Sequence, residues 1–322
     1  MQTFYLSHQK EIPSGFPDMV LALGYFDGVH TGHQEVIRTA AAIAAEKNCA
    51  LGVMTFHPHP KVVLSAETNE NNMRYLTPLS HKEECLQEQG PDYLFVVQFD
   101  KQFASKEPQE FVDQYLIGLQ AVHVTAGFDY SYGRLGRGTM ETLPFHSRGR
   151  FGQTIVGEVT RNGEKISSTA VKECIQTGDI EKAGSLLGRP YSIRGVVEGG
   201  EQRGRTIGFP TANIHKHDLY IVPAPGVYAV RIYVGGRWLD GAASIGFKPT
   251  FHDEAPEDPV IEVYIFDFNQ DIYGENVEVC FYTFIRGEET FNSAEELIEE
   301  MNRDVEKART VLAARSDVPG TS

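Results

Sequence analysis

The hydrophobic pattern of this chain changes near residue 188, and this change constrains the fold more than any other feature of the sequence. Before it, strand-like apolar runs alternate with helical patterns, as at 20–26, 31–47, 50–56, 93–99 and 122–126. In the helical pattern, the apolar residues that share one face are Val36, Ile37, Ala40 and Ala44. Strands and helices that alternate at this spacing predict a parallel sheet of βαβ units. We therefore expect an α/β fold for the first half.

After residue 188 the apolar segments become short and rich in β-branched and aromatic residues, with Gly, Pro and Asp between them. They lie at 191–198, 226–234, 239–246, 259–267 and 276–285. This composition predicts antiparallel strands in a barrel or a sandwich. A final helix is indicated by the capping-box pair Ser293 and Glu296. We expect one domain over 1–188, a second over 189–315 and a tail over 316–322.

The charge balance excludes some classes of partner. The chain has 29 Lys and Arg against 44 Asp and Glu, a net charge of −15. A chain this acidic is poorly suited to wrapping nucleic acid or coating an anionic membrane, although local donors can still hold small phosphorylated ligands. Its 4 cysteines are far apart and form no C-x-x-C pair, and no apolar run approaches the ~18 residues of a membrane span. We therefore expect a protein of the reducing cytoplasm.

The first candidate site lies where the first strand leads into the first helix. The stretch Leu23-Gly24-Tyr25-Phe26-Asp27-Gly28-Val29-His30-Thr31-Gly32-His33 places glycines and two histidines at the predicted carboxyl edge of the sheet. A helix N-terminus offers N–H groups and a positive dipole to phosphate, and both imidazoles can stabilise charge as pyrophosphate leaves a triphosphate. The alternatives are a glycine-rich turn with two solvated histidines, or metal ligation.

A second segment, Ile166-Ser167-Ser168-Thr169-Ala170-Val171-Lys172, can complement the histidines. Its hydroxyls can cap a helix, and Lys172 one turn later can reach phosphates, although a lone Ser-Ser-Thr is most often a plain N-cap. An H-x-G-H turn after a strand is the signature of the nucleotidyltransferase superfamily that includes class I aminoacyl-tRNA synthetases. Segments 55–60 and 127–134, the latter with Asp129 for ribose or adenine, also follow strands.

These four segments together resemble the adenylyltransferase module of the bacterial bifunctional riboflavin kinase/FMN adenylyltransferase (FAD synthetase) family, over about residues 15–188. The resemblance implies a Rossmann-like nucleotidyltransferase domain in which His30 and His33 are catalytic. The implied ATP-binding residues are Gly24, Phe26, Asp27, Gly32, Asp129, Ser168, Thr169 and Lys172. Lys172 stands where relatives usually have Arg, and Ala170 where many have Arg, which affects how phosphate is held.

The second half opens with a glycine-rich loop whose backbone can cradle phosphates, at Gly195, Gly200 and Gly204. It lacks the G-K-[ST] of a P-loop. On an extended segment Thr211 and Asn213 point the same way, and their neutral oxygens suit Mg²⁺ carried with ATP. Such a hairpin alone is more often structural.

The segment Pro259-Val260-Ile261-Glu262-Val263-Tyr264-Ile265-Phe266-Asp267 places Glu262 on a face with Val260, Tyr264 and Phe266. A carboxylate among apolar neighbours tends to have a raised pKa, which suits a general base that takes a proton from an alcohol. The alternative is that Glu262 faces solvent on an edge strand or pairs with an arginine.

Residues 189–312 resemble riboflavin kinase, through the spaced glycines, Gly-Phe-Pro-Thr-Ala-Asn, Pro225-Gly226-Val227-Tyr228, the stretch from Ser244 to Phe251 and the Glu262 strand. The resemblance implies a small antiparallel barrel in which Thr211 and Asn213 hold Mg²⁺–ATP and Glu262 activates the ribityl 5′-hydroxyl. The implied ATP-binding residues are Gly200, Gly204, Arg205, Pro210, Thr211 and Asn213.

The leading hypothesis is a two-site enzyme whose substrates are riboflavin, FMN and ATP, with no nucleic-acid or membrane partner. Two alternatives remain: the same fold with kinase activity alone, since Lys172 and Ala170 weaken the adenylyl site, or a non-catalytic flavin or nucleotide sensor. Retention of His30, His33 and Glu262 disfavours a sensor, because binding alone does not need them in these roles.

Overall fold

A computed structural model describes residues 1–199, 208–247 and 259–315. The chain divides into two compact units, Met1–Ser168 and Thr169–Ser322. By this division most of helix α7 (Ser168–Gln176) and all of helix α8 (Ile180–Leu187) fall in the second unit. The domain boundary that the sequence places near residue 188 stays a prediction.

The first unit is built on a parallel sheet. Its strands are β1 (Gln2–Leu6), β2 (Met19–Leu23), β3 (Ala50–His57), β4 (Tyr93–Gln98), β5 (Ala121–Gly127) and β8 (Gly152–Val156). They form a six-stranded sheet in the order β1-β4-β3-β2-β5-β8, and every neighbouring pair runs parallel. Short antiparallel pairs are formed by β6 (Ser131–Tyr132) with β7 (Gly138–Thr139), and by β9 (Thr160–Arg161) with β10 (Glu164–Lys165). The predicted parallel α/β fold is confirmed.

Helices and apolar side chains cover both faces of this sheet. On β2, Met19, Leu21 and Leu23 join one buried cluster while Val20 and Ala22 join another, so the strand is buried on both sides. The helices are α1 (Thr31–Lys47), α2 (Pro60–Leu64), α3 (Leu79–Gln87), α4 (Lys101–Ala104), α5 (Pro108–Phe111) and α6 (Leu143–Ser147), with a π-helical turn over Val112–Ile117. The buried residues of α1 are the four that its sequence predicts.

The second unit is a closed antiparallel barrel, which decides between the two predicted β architectures. Its strands are β11 (Tyr191–Glu198), β12 (Thr211–Lys216), β13 (Gly226–Val234), β14 (Arg237–Gly246), β15 (Val260–Ile265) and β16 (Asn276–Arg286). The barrel closes in the order β11-β12-β15-β14-β13-β16.

A terminal helix, α9 (Ala294–Ala313), packs against β13, β14 and β16 through Ala308 and Leu312. Ser293 caps it as predicted, accepting a hydrogen bond of 3.2 Å from the N–H of Glu296. The Glu296 carboxylate accepts from the N–H of Asn292, one residue before the cap. In the described part of the chain, no helix combines the length and apolar character needed to cross a membrane.

Candidate functional site

The turn between β2 and α1 has a constrained backbone. Phe26 and Val29 adopt φ values of 58° and 43°, and Gly28 adopts 85°. Positive φ is strained for a bulky residue such as Phe26 and more so for a β-branched residue such as Val29. Both side chains are buried, and their packing holds the backbone in this conformation. A Cβ at Gly24 would meet the Phe26 ring at 2.7 Å, so the close packing of this turn requires glycine. The turn thereby delivers the N-terminus of α1 to the carboxyl edge of the sheet.

Reciprocal hydrogen bonds join this turn to the loop before α3. The Asp27 carboxylate accepts from the N–H groups of Leu76 at 3.0 Å and Thr77 at 3.1 Å. The Thr77 hydroxyl accepts in return from the N–H of Gly28 at 2.9 Å. Asp27 is 2% exposed and does not line the cleft described below, so its carboxylate serves the turn itself. Thr77 does not cap α3: the helix begins at Leu79, and the Thr77 hydroxyl has this buried partner instead.

The two histidines lie face to face at the start of α1. Their ring centroids are 3.6 Å apart, with an interplanar angle of 16°. His30 caps the helix, because its Nδ1 accepts a hydrogen bond from the N–H of His33 at 3.2 Å; a neutral His30 therefore carries its proton on Nε2. Burial lowers the pKa of His33 well below its usual range, and the nearby His30 and Lys82 lower it further. His33 is therefore a neutral hydrogen-bonding group at pH 7.

The histidines open onto a cleft of about 550 Å³ at the carboxyl edge of the sheet. All four segments singled out from the sequence contribute to its lining. The predicted residues that line it are Gly24, Phe26, His30, Gly32, His33, Asp129 and Ser168. Phe56 and Pro60 line it as well, from the segment that follows β3. The predicted convergence of these segments on one cleft is thus what the structure shows.

Ser168 and Gly32 show how closely the two main motifs approach. The Ser168 hydroxyl donates to the carbonyl of Asp27 at 2.9 Å. A Cβ at Gly32 would lie 3.2 Å from the His30 ring and 3.8 Å from the carbonyl oxygen of Ile166. Thr169 and Lys172 follow on α7 in the second unit, and Lys172 shares a helix face with Ser168 because it lies four residues later. Their part in binding ATP stays a prediction.

The cleft also has features that sequence reasoning missed. Phe99, Phe103 and Phe111 make one part of its wall aromatic. Lys165, on the β9–β10 hairpin, lies 4.6 Å from the ring centroid of Phe128 and 3.7 Å from the Asp129 carboxylate. The signal for the hairpin was the Asn162-Gly163 pair, whose φ values are 52° and 82°. Asn-Gly between strand residues is a strong hairpin signal.

In the second unit the predicted polar residues meet on neighbouring strands. Asn213 on β12 pairs directly with Glu262 on β15, and Ser244 on β14 pairs with Glu262 from the other side. The Thr211 hydroxyl donates to the Glu262 carboxylate at 3.1 Å. The cluster therefore presents a hydroxyl, an amide and a carboxylate together.

The surroundings of Glu262 differ from expectation. The buried face of β15 carries Ile261, Val263 and Ile265, while Glu262 alternates to the opposite face and is half-buried. Glu262 does share a face with Val260 and Tyr264, but that face is the partly exposed one, so the carboxylate is less buried than expected. Both faces of β15 carry apolar residues, and the alternation does not say which one faces the barrel interior. Its role as a base stays a prediction.

Of the remaining predicted kinase residues, Gly200, Gly204 and Arg205 lie outside the described residues. Pro210 is exposed and immediately precedes β12. The preceding Phe209 is buried and contacts the Tyr264 ring, with centroids 5.1 Å apart. This contact helps to anchor the start of β12, where Thr211 lies.

These features define a class of protein: a parallel α/β unit with a ligand cleft at its carboxyl edge, followed by a small barrel with a polar cluster on one face. The family model for FAD synthetase matches residues 13–170, and the model for riboflavin kinase matches residues 187–312. The chain belongs to the bifunctional riboflavin kinase/FMN adenylyltransferase family.

Two curated proteins with the name of that family are similar over nearly the whole chain. The one from Bacillus subtilis is 47% identical, over 96% of this chain and 97% of its own length. The one from Listeria monocytogenes is 46% identical, over 98% of this chain and 100% of its own. A crystal structure described as a macrolide-efflux protein from Streptococcus pneumoniae has a TM-score of 0.88 and 38% identity, over 95% of this chain and 98% of that one.

Proposed function

We propose that this chain carries both activities of its family. The second unit phosphorylates riboflavin with ATP to give FMN, and the first transfers AMP from a second ATP to FMN, giving FAD and pyrophosphate. One observation carries this proposal: each unit brings its own predicted polar residues together. His30, His33 and Ser168 line one cleft of the first unit, and Thr211, Asn213 and Glu262 form one cluster in the second.

In the first unit the chain acts by positioning and by electrostatic stabilisation. The N-terminus of α1 and the two imidazoles face the cleft where a triphosphate would lie. Because His33 is neutral, it stabilises the departing pyrophosphate as a hydrogen-bond donor rather than as a cation. Attack by the FMN phosphate on the α-phosphorus of ATP needs no covalent enzyme intermediate.

In the second unit Glu262 accepts the proton of the ribityl 5′-hydroxyl as that oxygen attacks the γ-phosphorus of ATP. Both activities use ATP with a divalent metal, and we assign Mg²⁺. The donor set fits this ion, because Thr211 uses its proton for Glu262 and keeps its oxygen lone pairs for a cation, beside the amide oxygen of Asn213. When bound, Mg²⁺ neutralises part of the phosphate charge.

One residue predicted to bind ATP for adenylyl transfer sets the two activities apart. Lys172 presents a single point charge where an arginine would offer two donors to phosphate. This favours a less efficient adenylyl transfer, while leaving the polar cluster of the barrel unaffected. We retain the reducing cytoplasm as the expected compartment.

The direct test is to incubate the purified full chain with riboflavin and MgATP and to separate the products by chromatography. FMN followed by FAD is expected, and chelation of the divalent metal stops both steps. A second incubation, with FMN and MgATP, isolates adenylyl transfer. If the first incubation gives FMN and the second gives no FAD, the chain is a kinase alone. If neither product forms, the proposal fails.

A further inference from the structure

The side chain of Lys82, on α3, is enclosed behind the wall of the first unit's cleft and is 2% exposed. Its ammonium donates to the carbonyl of Tyr25 at 3.1 Å and to the hydroxyl of Thr55 at 3.1 Å. It also lies 3.5 Å from the carbonyl of Phe56. The Thr55 hydroxyl in turn donates to the Tyr25 carbonyl at 2.8 Å. One ammonium thus joins the residues that follow β2 to the end of β3.

A lysine in this place costs stability. Lysine is almost never fully buried without an ionic partner, and the three acceptors here are neutral. Burial accordingly lowers the pKa of Lys82 to about 8, although the charges of Asp27 and Glu83 act in the opposite direction. Burial of a charge costs a large free energy unless the charge is paired and hydrogen-bonded. Stability alone therefore does not explain a lysine here, which directs attention to the neighbouring cleft.

Lys82 lies one layer behind the cleft surface. Tyr25, Phe56 and His33 line the cleft, whereas Lys82 does not. Two of these lining residues accept its hydrogen bonds through their carbonyls, and its charge helps to lower the pKa of the third, His33. A positive charge at this position adds to the field of the α1 N-terminus on the same side of the sheet.

We propose that Lys82 is a positioning residue for adenylyl transfer: its buried ammonium fixes the ends of β2 and β3 behind the cleft and adds positive charge where the triphosphate of ATP binds. Lys82 touches neither substrate nor metal and acts through Tyr25, Phe56 and His33. This inference rests on the proposed function of the first unit.

The charge of Lys82 depends on the groups that face it. Asp27 from the turn after β2 and Glu83 from its own helix favour the charged form. Tyr25 lies 4.3 Å from the ammonium, measured to the ring centroid, and the neutral His33 faces it from α1. Loss of the Lys82 proton on the alkaline side removes the positive charge, so the rate of FAD formation is expected to fall there.

The test compares Lys82→Met and Lys82→Arg with the wild-type chain, with Lys47→Met as a control because Lys47 is exposed at the end of α1. FAD formation from FMN is measured against ATP concentration from pH 6.5 to 9.5, and the urea transition of the first unit, followed by circular dichroism, reports whether each variant is folded. Lys82→Met is expected to lower kcat/KM for ATP about tenfold and to lack the alkaline fall. Lys82→Arg, whose side chain stays charged, is expected to hold its rate to pH 9.5.

Wild-type kcat/KM and an unchanged pH profile in Lys82→Met would overturn the inference. If Lys82→Met lacks the urea transition of the first unit, it has failed to fold, and Lys82→Arg decides: an alkaline fall identical to that of the wild type removes Lys82 as its source. Absence of FAD from the wild-type chain itself would instead contradict the proposed function, so the two failures are distinguishable.

Discussion

The Thr211 hydroxyl donates a hydrogen bond of 3.1 Å to the Glu262 carboxylate across two paired strands of the barrel. This bond orients the carboxylate and occupies the Thr211 proton, so that an oxygen of Glu262 remains to accept another proton. The arrangement suits a base held by the barrel wall rather than one tuned by burial in an apolar core.

Glu262→Gln is therefore expected to abolish FMN formation, because a neutral amide cannot accept the proton of the 5′-hydroxyl. The bond from Thr211 can persist to the amide oxygen, so folding and riboflavin binding should be kept. The measurement is FMN formation from riboflavin, together with FAD formation from supplied FMN, which should be unchanged. Glu306→Gln on the exposed side of α9 is the matched control, and intact turnover by Glu262→Gln would remove this residue as the base.

His33→Ala is expected to lower FAD formation from FMN by about 10²-fold while sparing FMN formation, since removal of one donor to developing charge commonly has an effect of this size. His123→Ala is the matched control, because His123 hydrogen-bonds Thr154 and does not line the cleft. Equal loss of both activities in His33→Ala would indicate a folding defect.

The protonation state of His33 can be read directly from the nitrogen chemical shifts of its ring. Its pKa is lowered well below 6.5, so the neutral form should persist as the pH falls from 8 to 6. A ring that becomes charged within that range would contradict the enclosed, stacked arrangement with His30.

Much of the first site could be predicted from the sequence. The strand, the glycine turn and the positions of His30 and His33 follow from local pattern, and parallel topology brings strand ends to one edge. The direction of the Asp27 carboxylate could not be predicted, because its partners are backbone N–H groups of Leu76 and Thr77, about 50 residues away. Contacts of this kind leave no periodic signal.

Lys82 was missed for a related reason. It lies in the polar run Ser80-His81-Lys82-Glu83-Glu84, which is typical of a solvated helix face. His81 and Lys82 are nevertheless buried, because α3 packs this side onto the ends of β2 and β3. Long-range packing decides which charged residue of such a run is enclosed.

Thr77→Val should loosen the turn that carries the histidines. The variant removes the hydrogen bond from the buried Gly28 N–H to the Thr77 hydroxyl, and a bond of this kind contributes about 0.5–1.5 kcal/mol. Faster hydrogen–deuterium exchange is expected in the peptide that covers residues 24–30, with the barrel unaffected. Thr160→Val, at an exposed strand position, is the control. Unchanged exchange in the turn would show that this bond does not hold it.

Asp304→Ala is expected to detach α9 from the barrel. Asp304 is 3% exposed and binds Arg286, at 2.8 Å between Oδ2 and Nη2, so its loss leaves a largely enclosed guanidinium without this carboxylate. Breaking such a pair costs about 3–5 kcal/mol. Trp238 is the single tryptophan of the chain and packs against the apolar cluster under α9. Its fluorescence during denaturation therefore reports the loss of stability.

The matched control for that variant is Asp267→Ala. Asp267 also pairs with α9, through Arg309 at 2.8 Å, but its side chain is 78% exposed. An exposed pair contributes about 0–1 kcal/mol, so this variant should unfold almost as the wild type does. Equal effects of the two variants would contradict the distinction between the enclosed and the exposed pair.

Lys82 also predicts how the stability of the first unit depends on pH. Burial lowers its pKa to about 8 from 10.5, so between these values the unfolded chain binds more protons than the folded one. The free energy of unfolding should therefore rise with pH in the wild type, relative to Lys82→Met, by about 2 kcal/mol between pH 7 and 9.5. The measurement is urea denaturation followed by circular dichroism; because Trp238 lies in the second unit, the transition that its fluorescence does not follow belongs to the first. A difference between the two proteins that stays constant over this range would show that the amine is not enclosed as described.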